Sequence, residues 1–167
     1  MRVFGKMLEY RSELIHVVCN YNVQISSGRW SFGYWPSTIY ELDNIDTDVF
    51  DYIPSQDQTR ILIKELGWYE FSYTILSKTS WNYSNALEAV IEIGNGNKSN
   101  EIERTRTIQG TSRKGATNSV STTVKIDVPN TWVSLKYRST ETYNTLFIGP
   151  GGINLKIGRV RPLGAND

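Results

Sequence analysis

The feature that most constrains the fold is a two-residue alternation of apolar and polar side chains. In GWYEFSYTI, residues 67–75, aromatic or aliphatic residues occupy the odd positions from 69 to 75 and polar residues lie between them. Successive side chains of a β-strand point to opposite faces of a sheet, so a strand with one buried face shows this pattern. We therefore predict that residues 67–75 form a strand whose aromatic face lies in a core.

The same alternation predicts strands through most of the 167-residue chain. The further segments are LIHVVCNYNVQI (14–25), TRILIKEL (59–66), NALEAVIEI (85–93), NSVSTTVKIDV (118–128), TWVSLKYRS (131–139) and GGINLKIGRV (151–160). The inward-facing positions are the odd ones in 87–93, 133–137 and 153–157, and the even ones in 120–128. No segment has a clear helical period. We predict an all-β fold of about eight or more strands, arranged as a sandwich or barrel.

Turn residues separate these strands. In GNGN (94–97), Gly94 and Gly96 can adopt a positive φ. Further along the chain, Pro129 and Asn130 end the strand predicted at 118–128. Residues 28–54 are the least regular part and are rich in aromatic residues. We expect this part to wrap the sandwich or to contribute short strands.

The composition argues against several kinds of partner. The chain has 18 Lys plus Arg against 17 Asp plus Glu, and this balance favours neither nucleic acid nor a membrane surface as a partner. No apolar run approaches the roughly 20 residues that span a bilayer, and the first residues lack the apolar region of a signal peptide. Cys19 is the single cysteine, and its apolar neighbours predict that it is buried.

The order of the strands and turns carries a resemblance to a known family. TRILIKELGWYEFSYTIL (59–76) pairs a glycine with two aromatic residues, and LEAVIEIGNGNKSNEIERTRTI (87–108) is a hairpin around an Asn-Gly turn. TNSVSTTVKIDVPNTWVSLKYR (117–138) ends in a strand of V-x-L type, and INLKIGRV (153–160) would be the closing strand. In this order, the segments resemble the C1q/TNF-like jelly roll.

The resemblance implies an antiparallel jelly-roll β-sandwich that assembles as a compact homotrimer. One face of each jelly roll would pack around a threefold axis. We predict an N-terminal arm at residues 1–13 and a jelly-roll domain at residues 14–167.

No catalytic, cofactor or metal site is predicted, and the chain is not expected to be an enzyme. The only histidine, His16, lies among apolar residues, where a structural role is favoured. GPGG (149–152) is followed by neither a helix nor a Lys-Ser/Thr pair, so a turn is favoured over a phosphate loop. Four acidic residues could approach a calcium ion, but a solvated turn is favoured because their spacing matches no EF-hand. They are Asp43, Asp46, Asp48 and Asp51.

Five aromatic residues are candidates for a trimer interface or a partner surface. They are Trp30, Phe32, Tyr34 and Trp35 in GRWSFGYWP, and Trp68, which is out of phase at the start of its strand. Two alternatives remain for the first four: they stack on a sugar ring, or they form a core-covering flap or subunit interface.

These properties favour a structural protein of a virion, most specifically of a bacteriophage. The prediction is a trimeric capsid decoration or cement protein, head fibre or spike component that binds other capsid proteins. It would be made in the host cytoplasm and located on the particle surface. The alternatives are a receptor- or carbohydrate-binding head domain that takes a host glycan, and a secreted C1q/TNF-like ligand.

Overall fold

The computed structural model describes residues 14–25, 28–35, 39–40, 48–51, 59–80, 85–141, 145–164 and 166–167. Within these ranges the regular structure consists of β-strands, and none of it is helical. The predicted all-β class is confirmed. The predicted N-terminal arm, residues 1–13, lies outside the described residues, so the division into arm and domain stays a prediction.

The strands are short at the N-terminal end of the chain and, except for β12, long from residue 67 onward. In chain order they are β1 (Leu14–Cys19), β2 (Val23–Ile25), β3 (Ser31–Phe32), β4 (Ile39–Tyr40), β5 (Phe50–Asp51), β6 (Ile61–Ile63), β7 (Gly67–Thr79), β8 (Asn85–Asn95), β9 (Lys98–Thr111), β10 (Ala116–Ile126), β11 (Thr131–Ser139), β12 (Leu146–Ile148) and β13 (Ile153–Arg161).

These strands form two antiparallel sheets. The first sheet has the order β2-β12-β7-β13-β1-β4, and β10 also pairs with β7. The second sheet has the order β5-β6-β11-β8-β9, and β3 also pairs with β11. At one side of the molecule Arg104 of β9 donates to the backbone oxygen of Thr123 on β10 at 2.7 Å. This contact joins the exposed edges of the two sheets.

The core lies between the sheets, and the predicted inward faces fill it. Tyr69, Phe71, Tyr73 and Ile75 of β7 are all buried, as the alternation predicted, and so is Cys19. Ile93 and Val120, which were also predicted to point inward, are partly buried against this core. Most of the other residues predicted to point inward are fully buried in it. They include Leu87, Ala89, Ile91, Val124, Ile126, Val133, Leu135, Tyr137, Ile153, Leu155 and Ile157.

The structure corrects several boundaries. Residues 14–25 were expected as one strand but form two, because β1 pairs with β13 and β4 while β2 pairs with β12. The strand expected at 59–66 is confined to Ile61–Ile63. Val128, expected inward, is exposed because β10 ends at Ile126.

The two glycines of GNGN have different roles. Gly96 has a φ of 58° and forms the expected turn. Gly94 instead lies within β8, where a Cβ atom would come 2.2 Å from the Trp132 ring. Gly94 is therefore needed because a large side chain of the neighbouring strand packs against its backbone.

The pairing of β8 with β9 contains a bulge. Ala89 pairs with Thr107. Two residues further along β8, Ile91 pairs with Ile102. Residues 103–106 therefore oppose a single residue of β8, and the chain of β9 must turn locally out of the ladder.

The Tyr73 side chain of the first sheet reaches this bulge through the core and forms hydrogen bonds with it. Its hydroxyl donates to the backbone oxygen of Thr105 at 2.6 Å and lies 2.8 Å from Oγ1 of Thr107. Thr105 Oγ1 in turn accepts from the backbone N–H of Ile91 at 2.9 Å. Burial raises the pKa of Tyr73 to about 12, so the phenol stays protonated and remains a donor.

We expect Tyr73→Phe to destabilise the protein by about 1–3 kcal/mol, because it leaves a buried carbonyl of the bulge without its donor. Tyr69→Phe is the matched control, since the Tyr69 hydroxyl donates to the Glu65 carbonyl at 2.7 Å in a partly buried site. The control should lose about 0.5–1.5 kcal/mol. Urea unfolding at one fixed protein concentration measures both, and equal losses would contradict the role assigned to Tyr73.

Candidate binding surface

The aromatic segment 30–35 runs along the second sheet beside β11. Phe32 pairs with Lys136 in the ladder between β3 and β11. The backbone N–H of Gly33 donates to the Leu135 carbonyl at 2.8 Å. Because the segment is extended, its side chains alternate, and the even positions 30, 32 and 34 point away from the core.

Trp35 points inward and belongs to the core. Its side chain is 0% exposed. A Cβ atom on Gly33 would lie 2.3 Å from Cζ2 of the Trp35 ring, so the glycine leaves room for the indole. Of the five candidate residues, Trp35 therefore stabilises the protomer, and its ring does not reach the protomer surface.

Phe32 and Tyr34 are exposed and lie in one neighbourhood with a third aromatic residue, Tyr21. Their exposed fractions are 41%, 44% and 48%, and the ring centroids of Tyr21 and Tyr34 are 5.9 Å apart. We call Tyr21, Phe32 and Tyr34 the aromatic surface. Sequence reasoning missed Tyr21, which follows β1. The asparagines on both sides of Tyr21 were the available signal that it lies in a turn.

Trp30 is half-buried at the base of the aromatic surface, where its ring contacts two cations of β11. The guanidinium carbon of Arg138 lies 4.3 Å from the ring centroid, and Nζ of Lys136 lies 4.8 Å from it. Both distances are within the range of a cation–π interaction. Trp30 is thus held against the second sheet, with little freedom to swing outward.

The two cations are themselves held by carboxylates of the second sheet. Glu88 is buried and accepts from Arg138 Nε at 2.6 Å and from Arg106 Nη1 at 2.7 Å. Lys136, also buried, contacts Glu92 and Glu101, each at 2.7 Å.

Arg106 closes this arrangement by pairing with Glu101 and Glu103 as well. We call these side chains the ion-pair network. Its members are Glu88, Glu92, Glu101, Glu103, Arg106, Lys136 and Arg138.

Within the network, the pKa values of Glu101, Glu103 and Lys136 are shifted toward the charged forms of these side chains. The hydrogen bond from Lys136 holds the pKa of Glu101 below its usual range, and the hydrogen bond from Arg106 does the same for Glu103. Burial opposes ionisation of Lys136, but the hydrogen bonds to Glu101 and Glu92 outweigh it and raise the pKa. Glu101, Glu103 and Lys136 therefore stay ionised at neutral pH.

Trp68 lies apart from the other candidates, on the first sheet. It is half-buried on β7, and the Arg161 guanidinium carbon lies 5.3 Å from its ring centroid. Arg161 pairs with Asp167 at 2.7 Å. That contact, with the backbone N–H of Gly164, holds the pKa of the Asp167 carboxyl well below its usual range. The structure does not bring Trp68 together with the aromatic surface.

The remaining sequence features show no assembled chemistry in the part of the chain that the structure describes. Gly149–Gly152 form a turn, in which Gly151 has a φ of 79°. No three His, Cys, Asp or Glu side chains converge there as metal ligands, while Asp43 and Asp46 lie outside the described residues. That the protein is not an enzyme and binds no metal or cofactor therefore stays a prediction.

No described helix is long and apolar enough to span a bilayer.

The two antiparallel sheets, in this strand order, define a jelly-roll β-sandwich of the TNF-like type. The fold class predicted from the sequence is confirmed. No protein-family model and no curated protein matches the sequence.

The solved structures of similar fold include two named TNF-like examples. Murine APRIL has a TM-score of 0.61 and 10% identity, over 88% of this chain and 98% of APRIL. Eiger TNF from S. frugiperda has a TM-score of 0.64 and 10% identity, over 95% of this chain and 98% of Eiger. At this identity the likeness establishes the fold and no further property.

We expect acid to weaken the protein through the ion-pair network. Since the pKa values of Glu101 and Glu103 are lower in the folded state, their contribution is complete above the unfolded value of 4.5. It is lost as the pH falls through the folded pKa. Glu101→Gln should lower the free energy of unfolding at pH 7 and flatten its decline below about pH 4.5.

Urea unfolding at a series of pH values measures this effect. Glu70→Gln is the matched control, because Glu70 is an exposed residue whose carboxylate accepts a hydrogen bond from Ser121 at 3.2 Å and lies outside the network. It should retain the pH dependence of the unmodified protein. An E101Q variant that also retained it would contradict the role of the network.

Proposed function

We propose that the chain is a non-catalytic, homotrimeric binding head whose aromatic surface contacts a host glycan. The observation that carries the proposal is the group of three exposed rings, Tyr21, Phe32 and Tyr34. Exposed aromatic side chains gathered in one place are typical of interaction sites, since water contact with this apolar area is unfavourable.

The contacts between the aromatic segment and the second sheet favour a binding surface over a flap that only covers the core. Phe32 belongs to β3, which pairs with β11 in the second sheet. Trp30 lies against Lys136 and Arg138, and carboxylates hold both of these cations. A surface that is ordered before binding loses less conformational freedom when a partner arrives.

A glycan fits the chemistry of the aromatic surface. A sugar ring presents C–H groups on its faces and hydroxyls around its rim. Phe32, Tyr21 and Tyr34 present apolar ring faces, and the two tyrosines add hydroxyls that donate and accept hydrogen bonds.

The trimer is supported by the TNF-like fold and by the outward face of the first sheet. Short side chains occupy this face at the centre of β7 and along β10. They are Ser72 and Thr74 of β7, and Ser119, Ser121 and Thr123 of β10. Another protomer can approach the part of this face formed by β7 and β10 closely, and Lys156 of β13, which pairs with Ser72, is the long side chain at its border.

A place on the surface of a virion, as a head-fibre or spike component bound to other capsid proteins, completes the proposal. It rests on the near-neutral charge and single cysteine of the sequence together with an assembling jelly roll. The likeness to murine APRIL and Eiger does not bear on this placement, because it concerns the fold alone.

We expect a solution mass of three times 19.1 kDa, about 57 kDa, by light scattering after size exclusion. Ser72→Arg should reduce it to the monomer mass, because a long charged side chain would separate the packed faces. Val128→Arg, at an exposed position after β10, is the control and should remain trimeric. A monomeric unmodified protein would contradict the trimer.

We expect a glycan array to show binding that depends on the aromatic surface. Phe32→Ala and Tyr34→Ala should each weaken binding about tenfold or more, measured by calorimetry with the best glycan. Ile108→Ala is the control, because this residue is exposed on β9 and lies outside the surface. Binding to purified virions with no glycan bound would oppose the carbohydrate role and leave the structural role standing.

A further inference from the structure

A groove lies at one end of the outward face of the first sheet, where β12, β7 and β10 are neighbours. Its volume is about 410 Å³, which is enough for a small organic ligand. The turn that leads into β10 forms one wall, and Gly149 at the end of β12 lies on the opposite side. None of its lining residues belongs to the aromatic surface.

The turn that forms the wall is fixed against β7. The backbone N–H of Thr79 donates to the Ser112 carbonyl at 3.1 Å, and that of Gly115 donates to the same carbonyl at 2.9 Å. Gly115 has a φ of 89°, and a Cβ atom there would lie 3.3 Å from the Ser77 oxygen. The wall is therefore hydrogen-bonded to the sheet.

Among the described residues, two lysines line the groove and no acidic residue does. Lys78 lies on β7 and Lys114 lies in the turn; both are exposed, and neither forms an ion pair with a described residue. The register pairs Ala116 with Ser77, which places the turn beside Lys78. Two ammonium groups with no counter-charge in the same groove favour an anionic occupant.

The groove also has an apolar part. Leu76 of β7 is 52% exposed, and half-buried Phe147 lines the groove with it. An occupant that covered these side chains would remove apolar area from water. The lysines and the apolar residues together require a ligand with a negative group and a hydrocarbon body.

A second groove among the described residues differs from the first in its charge. Its volume is about 230 Å³, and its lining includes Lys98 and Lys125 beside the exposed apolar Val128. The acidic Asp127 lies in the same lining, so the charge of these lysines is partly offset. The two lysines of the second groove therefore serve as a control for the two lysines of the first.

We infer that the groove between Lys78 and Lys114 is a binding site for a small amphipathic anion, a carboxylate carried on a hydrocarbon body. The carboxylate pairs with the two ammonium groups, and the hydrocarbon covers Leu76 and Phe147. This site is separate from the aromatic surface, so anion binding in the groove and glycan binding at the aromatic surface are tested independently of each other.

Saturation-transfer NMR with the full chain tests the inference, using sodium octanoate as the probe. We expect a Kd of about 1 mM or below for octanoate. Acetate lacks the hydrocarbon and octylammonium has the opposite charge, so each should bind at least about tenfold more weakly. Equal binding of octanoate and octylammonium would overturn the inference.

Substitutions locate the site. The double variant K78A/K114A should weaken octanoate binding about tenfold or more, whereas K98A/K125A in the second groove should leave it unchanged. All four lysines are at least partly exposed, so the variants should remain folded, which circular dichroism checks. Equal loss in both double variants would indicate non-specific attraction and overturn the site.

Measuring the mass of the same sample separates a failure of the groove inference from a failure of the trimer proposal. If assembly through the first sheet covers the groove, octanoate fails to bind a protein whose mass is trimeric. That result overturns the groove and leaves the trimer standing.

Discussion

The structure depends on β7, whose inward face lies at the centre of the core. Tyr69, Phe71 and Tyr73 are almost completely buried on this strand, and each adds a large apolar area to the contact between the sheets. Tyr73 adds a polar constraint, since its hydroxyl reaches across the core to the bulge of β9 at Thr105. Because a buried phenol requires a partner, this bond fixes how the second sheet lies over the first.

The outer face of the second sheet is held together by side-chain contacts. The ion-pair network lies on β8, β9 and β11, and two of its cations hold Trp30 by their positive charge. Phe32 and Tyr34 follow Trp30 on the same extended segment. The aromatic segment is thus in contact with the second sheet. Tyr73 hydrogen-bonds to the bulge of that same sheet from the core side. This continuity is the physical basis for the preorganisation that the proposed glycan contact relies on.

The sequence predicted the long strands well and the aromatic segment less completely. Alternation identified the buried face of β7 because strand side chains repeat every two residues whatever their neighbours are. Within 30–35, the even positions carry three rings and the odd ones carry Ser31, Gly33 and Trp35, so alternation alone would have turned the even set toward the core. Trp35 is buried and Phe32 exposed because of the way the segment pairs with β11. Tyr21 joined the surface through a contact with Tyr34, a residue 13 positions away.

Local sequence patterns were sufficient to predict the all-β class, the buried faces of the long strands and the burial of Cys19. These are local properties, set by the spacing of apolar residues along one strand. Three features follow from the packing of distant segments: Trp68 lies on the first sheet and Trp30 against the second, Glu88 pairs with two arginines, and Lys78 and Lys114 line one groove. Each of these depends on which strands become neighbours. Strand order and register arise from packing between segments distant in the chain, and no local pattern encodes them.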